Sequence, residues 1–188
     1  MHRLIALLTL AVVLLAHPLS TLAAAPEINR FTNTYSFVVP AEDNPCVVDV
    51  VIEGEFTVVE HLFFDDAGTL VKVIAHINDR WTDTGPGGTI RGQGSLTVVT
   101  TEFVHGEGVE TWVDTFRGMP FKLSAPGFGV LIRDAGNISV AVTQILNDPD
   151  DPEDDEFIQD VIYDRGDHPS FYTGLDGVID EYCAILAG

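Results

Sequence analysis

The run Cys46–Phe64, CVVDVVIEGEFTVVEHLFF, limits what this chain can fold into more than any other stretch. β-Branched and aromatic side chains at this density favour extended backbone on a pleated, half-buried surface. Gly54 suggests a bulge or bend that divides the run. Beyond it, Asp65-Asp66-Ala67-Gly68 separates EFTVVEHLFF from TLVKVIAHIND, with Gly68 placed to take positive φ at the end of a type I turn. Treating those four residues as the loop puts Phe56, Val58, Glu60, Leu62 and Phe64 on one face with Val71, Val73, Ala75 and Ile77. The other face then carries Glu55, Thr57, His61, Lys72, His76 and Asn78. Side chains alternate along a strand, so a slip of one residue would mix polar and apolar groups on both faces; the segregation selects this facing.

The remaining segments read as strands beside this hairpin. Phe31, Asn33, Tyr35, Phe37 and Val39 share a face of a first strand, which Pro40–Pro45 stops. Trp81–Gly88 reads as loop, and Thr89–Val104 as a long strand interrupted at Gly92 and Gly94. In VETWVDTF, Glu110, Trp112, Asp114 and Phe116 share a face, and FKLS follows as a short strand. Asp134-Ala135-Gly136 repeats the turn chemistry between VLIR and ISVAVTQIL, which predicts a second hairpin. Phe157–Tyr163 resumes alternation and Asp164–Ser170 reads as a turn. Leu175, Val178, Ile179, Tyr182, Cys183 and Leu186 recur at helical spacing, with Thr173 and Asp176 as caps, and predict a short C-terminal helix. Eight to ten strands joined by hairpins imply a mainly β fold: an antiparallel β-barrel, lipocalin-like in outline, with a β-sandwich as the alternative. The long glycine-interrupted strands favour the barrel, because closure demands bends.

Residues 1–24 have the form of a secretory signal peptide: His2 and Arg3, then an uncharged apolar run to Leu15, then small residues ahead of Ala25. The expectation is a secreted or extracytoplasmic protein with a single domain over residues 25–188 and no stable membrane insertion after cleavage. In that compartment two cysteines, Cys46 and Cys183, predict one disulfide rather than a zinc site, which draws on closely spaced pairs. The formal net charge of −20 opposes nucleic acid and anionic lipid, and the self-repulsion favours a monomer. Residues 147–156, NDPDDPEDDE, combine clustered carboxylates with two prolines and read as an exposed acidic loop.

Several short motifs together resemble a group of secreted, actinobacterial-type, two-cysteine β-rich proteins. They are Asn44-Pro45-Cys46, Arg91-Gly92 with Gly94, Pro126-Gly127 with Gly129, Asp167-His168-Pro169, and Cys183-Ala184 with Leu186. The resemblance spans most of residues 25–188 and implies a β-rich exported domain. It supplies no activity and no catalytic residue, and the acidic loop is an addition to its pattern.

Among candidate chemistry, Glu60 stands out because the predicted facing sets its carboxylate among Phe56, Val58, Leu62 and Phe64, and a buried carboxylate without a partner is costly enough to mark a pocket. Glu60, Phe56 and Trp112 are the predicted ligand-binding residues. His61 and His76 share the opposite face, but Thr57 rather than His61 falls opposite His76, which separates the imidazoles; with no third ligand, no zinc site is predicted. The aspartates of the acidic loop lack the glycine turn and terminal glutamate of an EF-hand. Ser95, after Gly92-Gln93-Gly94, does not sit in a Gly-x-Ser-x-Gly elbow. No cofactor and no catalytic residue are predicted. The leading functional expectation is a non-enzymatic barrel binding a small apolar or amphipathic ligand. The alternatives are a cofactor-independent isomerase or cyclase built on the same barrel and an extracellular interaction module using the acidic loop.

Overall fold

The structure, a computed structural model, describes residues 25–146 and 155–188. The predicted signal peptide and most of the acidic loop lie outside the described residues. Eight strands form one antiparallel sheet: β1 (Glu27–Val39), β2 (Val50–Phe64), β3 (Leu70–Thr84), β4 (Thr89–Gly106), β5 (Val109–Ala125), β6 (Gly129–Arg133), β7 (Ala135–Ile145) and β8 (Glu156–Asp167). A single 3-10 turn, Ala41–Asp43, lies between β1 and β2, and two short helices follow β8: α1 (Pro169–Thr173) and α2 (Ile179–Ala187). The strand order is β1-β2-β3-β4-β5-β7-β8, with β6 also on β5, and β1 and β8 are edges not paired with each other. The fold is therefore mainly β and antiparallel, as the alternation implies, but the sheet is open where a closed barrel was expected. Hairpin connectivity and alternation are the same for an open coiled sheet and a barrel. Closure rests on bonds between the first and last strands, for which no local pattern exists.

The β2–β3 hairpin keeps the predicted facing at a different register. Val58 pairs with Ile77, Glu60 with Ala75 and Leu62 with Val73, two residues away from a simple four-residue loop. One residue of the shift arises at the turn, where Asp65 N–H donates to the Thr69 carbonyl and the Asp65 side chain accepts from Ala67 and Thr69 N–H, with Gly68 at φ +82°. The second arises between Phe63 and Phe64, where the ladder skips Val71. Two single-residue shifts restore the parity, so every side chain keeps its face.

Gly54 is no bulge: β2 runs through it in unbroken register between Tyr35 and Trp81. The β4–β5 ladder has two irregularities: at Gly94 the extra residue is on β5, where Pro120, whose missing N–H cannot serve the ladder, and Phe121 face it, and between Thr101 and Val104 the extra residue is on β4. The second predicted hairpin is also absent. β6 pairs with Lys122–Ala125 and β7 with Val109–Gly118, both antiparallel to β5, so the chain continues in the same direction past Asp134. The turn-type residues there have other duties. Asp134, 2% exposed, accepts the Ser170 N–H at 2.9 Å and the Ser170 hydroxyl at the start of α1. Gly136, at φ +145°, lets β7 and β8 approach, since a Cβ there would meet the Arg165 carbonyl oxygen at 2.4 Å.

The sheet's inner face carries two apolar clusters. Ile138, Val140 and Val142 pack with Trp112 and Phe116. At the other end Val50, Ile90, Leu123, Ala125 and Ile132 are covered by Ile185 and Leu186 of α2, and Leu186 is fully buried. The helix spacing is realised only from Ile179 onward; Leu175 and Val178 reach the same cluster from the turn before it. Cys46 and Cys183 form the expected disulfide, with Cα atoms 4.8 Å apart, and fasten α2 beside the entry to β2. Among the described residues no helix is long and apolar enough to cross a membrane.

Candidate functional site: an aromatic groove

Between the α2-capped cluster and the far end of the sheet, the inner face opens into a groove of about 640 Å³. Its walls are rings: Tyr35 and Phe37 of β1, Phe56 of β2, Trp81 of β3 and Phe121 of β5. Three consecutive strands deliver the first four because Tyr35, Gly54 and Trp81 are cross-strand partners, as are Asn33, Phe56 and Asp79, so both rows point the same way. Tyr35 lies 6.1 Å from Phe37 and 6.4 Å from Phe56, and Trp81 lies 5.6 Å from Phe121, all tilted ring pairs. Glycines clear the floor. A Cβ on Gly54 would meet the Tyr35 ring at 2.5 Å, and one on Gly92 would meet the Trp81 indole at 1.9 Å.

Among the described residues one charged side chain lines the groove, Asp79, whose Oδ1 accepts the Tyr35 hydroxyl at 3.3 Å. The Tyr35 hydroxyl is pushed above its ordinary range by burial first and by the Asp79 carboxylate second. Phe37 is 49% exposed, an open aromatic face on the inner side of the sheet.

Of the three residues predicted to bind ligand, Phe56 lines this groove and Glu60 and Trp112 do not. Glu60 does point to the inner face, half-buried beside Val58 and Leu62, but it lies four residues along β2 from Phe56, about 13 Å at strand rise. Trp112 is on β5, where its indole N–H donates to Asp114 Oδ2 at 2.9 Å and the Thr100 hydroxyl donates to Oδ1 at 2.6 Å. The acid that meets the rings is Asp79. It closes the segment read as strand, TLVKVIAHIND, and escaped notice because the strand was expected to stop there, Trp81–Gly88 looking like loop; β3 in fact runs on to Thr84, and Ile77, Asp79, Trp81 and Asp83 alternate inward with two acids among them. Polar residues on the inner face concealed the period. The histidines are a second correction: the two-residue shift sets Val59, not Thr57, opposite His76 and brings the His61 and His76 rings to 5.8 Å on the outer face. No cluster of three or more metal-ligating side chains occurs among the described residues.

Next to the groove, under α2, Asp83 is 3% exposed, with Oδ2 accepting the Tyr182 hydroxyl at 2.8 Å and Oδ1 without a partner among the described residues. Burial raises the Asp83 carboxyl above the usual range, with Tyr182 and Trp81 pulling the other way, and burial and Asp83 raise the Tyr182 hydroxyl. The folded state thus holds the Asp83 proton more tightly than the unfolded chain does. Its contribution to stability is complete below the unfolded value of about 3.9 and declines as pH rises through the folded value. Asp83→Asn keeps an acceptor for Tyr182 and removes the titration. The variant is expected to gain on the wild type as pH rises from the acid range to neutrality, as read from paired denaturant titrations. A difference independent of pH would contradict this account of Asp83.

No protein-family model, curated protein or solved structure matches this chain.

Proposed function

We propose that this is an exported, non-enzymatic protein that holds a small apolar or amphipathic molecule in the aromatic groove of an open β-sheet. The observation that carries the reading is an open groove of about 640 Å³ walled by five aromatic side chains, with Phe37 left half exposed. That volume falls within the range typical of small-molecule sites, and exposed rings on a concave inner face gain most from an apolar guest. Export is supported by the form of residues 1–24 and by the Cys46–Cys183 bridge, which suits an oxidising compartment. The isomerase or cyclase alternative has less to draw on: Asp79 is the only carboxylate among the described residues that line the groove, and Asp83 is buried under α2.

Fluorescence titration with N-phenyl-1-naphthylamine, a neutral apolar probe, tests the reading. The full chain is expected to bind it saturably. Removing two groove rings in Phe37→Ser/Phe56→Ser should weaken binding by roughly tenfold or more, given the apolar area lost. Equal binding by the double variant, with its circular dichroism intact, would sink the proposal.

A further inference from the structure

We propose that the occupant of the groove is an amphipathic cation, its ammonium-type head seated between the aromatic faces and Asp79 and its apolar tail laid along Ile52 and Phe121. This rests on the groove being a binding site, and it adds the chemical class of the ligand. Three observations on separate elements converge on it. Tyr35, Phe37, Phe56 and Trp81 come from three strands and surround one space, and the negative face of an aromatic ring attracts a cation, most strongly for tryptophan and tyrosine. Asp79 is the single charged side chain among the described residues that line the groove, so the lining has one sign. Tyr35 donates to Asp79 Oδ1, which fixes the carboxylate at the aromatic end instead of leaving it free to turn to solvent.

The field of the whole molecule acts in the same direction. A formal charge of −20 raises the local concentration of cations and repels fatty acids and other anionic amphiphiles that an apolar groove would otherwise accept. The long-range field alone does not discriminate among sites on the surface; the carboxylate within the ring of aromatics does. An anion in the same position would meet both the Asp79 charge and the negative faces of the rings. A neutral amphiphile gains only the apolar contacts.

Isothermal titration of the full chain with three amphiphiles of equal chain length, below their micelle concentrations and at physiological ionic strength, tests this. The probes are octyltrimethylammonium, a neutral octyl glucoside and octyl sulfonate. The cation is expected to bind about tenfold more tightly than the neutral probe, in line with a partly desolvated cation–aromatic contact, and the sulfonate most weakly. Asp79→Asn, which keeps an acceptor for Tyr35, should cut the cation's advantage to the few-fold that the rings alone supply, without changing the affinity for the neutral probe. Phe56→Leu, which keeps apolar bulk and loses the ring, should narrow the gap by a few-fold. Glu53→Gln, on the opposite face of β2, should leave the preference intact. Equal affinity for cation and neutral probe, tighter binding of the sulfonate, or a cation preference undiminished by Asp79→Asn would each overturn the assignment while leaving the groove as a binding site. Failure of all three probes to bind would overturn the binding reading itself.

Discussion

Replacing Cys46 and Cys183 together by serine is expected to lower the unfolding free energy by about 3–5 kcal/mol, the largest loss available from removing one covalent feature. The bridge joins positions 137 residues apart, so breaking it releases nearly the whole described sheet from one closed loop in the unfolded chain. The native state depends on it for a second reason. α2 has nine residues, too few to persist as an isolated helix, and Val178 gives it no side-chain cap. What holds it is packing of Ile185 and Leu186 on Val50, Ile90, Leu123, Ala125 and Ile132, together with the Gly87 N–H donating to the Leu186 carbonyl at 2.8 Å. Without the bridge the helix should open locally before the sheet does. Guanidinium unfolding gives the stability, and amide exchange gives the order of events. α2 amides that exchange no faster than those of β4 in the serine variant would refute this account, as would an unchanged midpoint.

How much of this was legible in the sequence depends on whether a signal was local. The facing of β2 and β3 could be read from parity alone and survived a two-residue error in register, because the turn at Asp65–Thr69 and the skipped Val71 each moved the ladder by one. The cysteine pair could be read from count and compartment. Asp134 and Gly136 misled because their composition matches a turn, whereas one accepts the first N–H of α1 and the other permits close strand approach. Pro169 at the first position of α1 was the signal for that helix, hidden in a segment read as a turn. Phe56 was found for the groove because it lies in the densest run of strand formers. Trp81 was missed because an inward-facing strand that carries two acids imitates a loop, and Asp79 because the strand was expected to end there. Glu60 points inward as predicted, yet the alternation that gave its direction says nothing of which inner-face rows gather into a groove.

The glycines of the groove floor hold the second large effect. Gly92→Ala is expected to cost about 3 kcal/mol and to abolish probe binding, although it adds a single methyl group. Alanine in an extended strand is ordinarily tolerated, and the Gly92 backbone lies outside the left-handed region, so the penalty is steric. The new Cβ would fall 1.9 Å from Cε2 and 2.2 Å from Cζ2 of Trp81. Those atoms belong to a rigid indole packed against Phe121, with Ile90 and Leu123 buried in the same cluster, so the ring cannot yield by a few tenths of an ångström; it must leave. Expulsion removes one wall of the groove and opens a void over the α2-capped cluster. Gly177→Ala, where nothing lies within 4 Å, supplies the control and should stay within about 0.5 kcal/mol of the wild type. A double-mutant cycle separates this mechanism from general damage to β4. Once Trp81→Ala has removed the ring, adding Gly92→Ala should cost almost nothing further, giving a coupling of about 2–3 kcal/mol between the two positions. Additive losses would show that Gly92 is needed by the strand itself and not by the indole that lies across it.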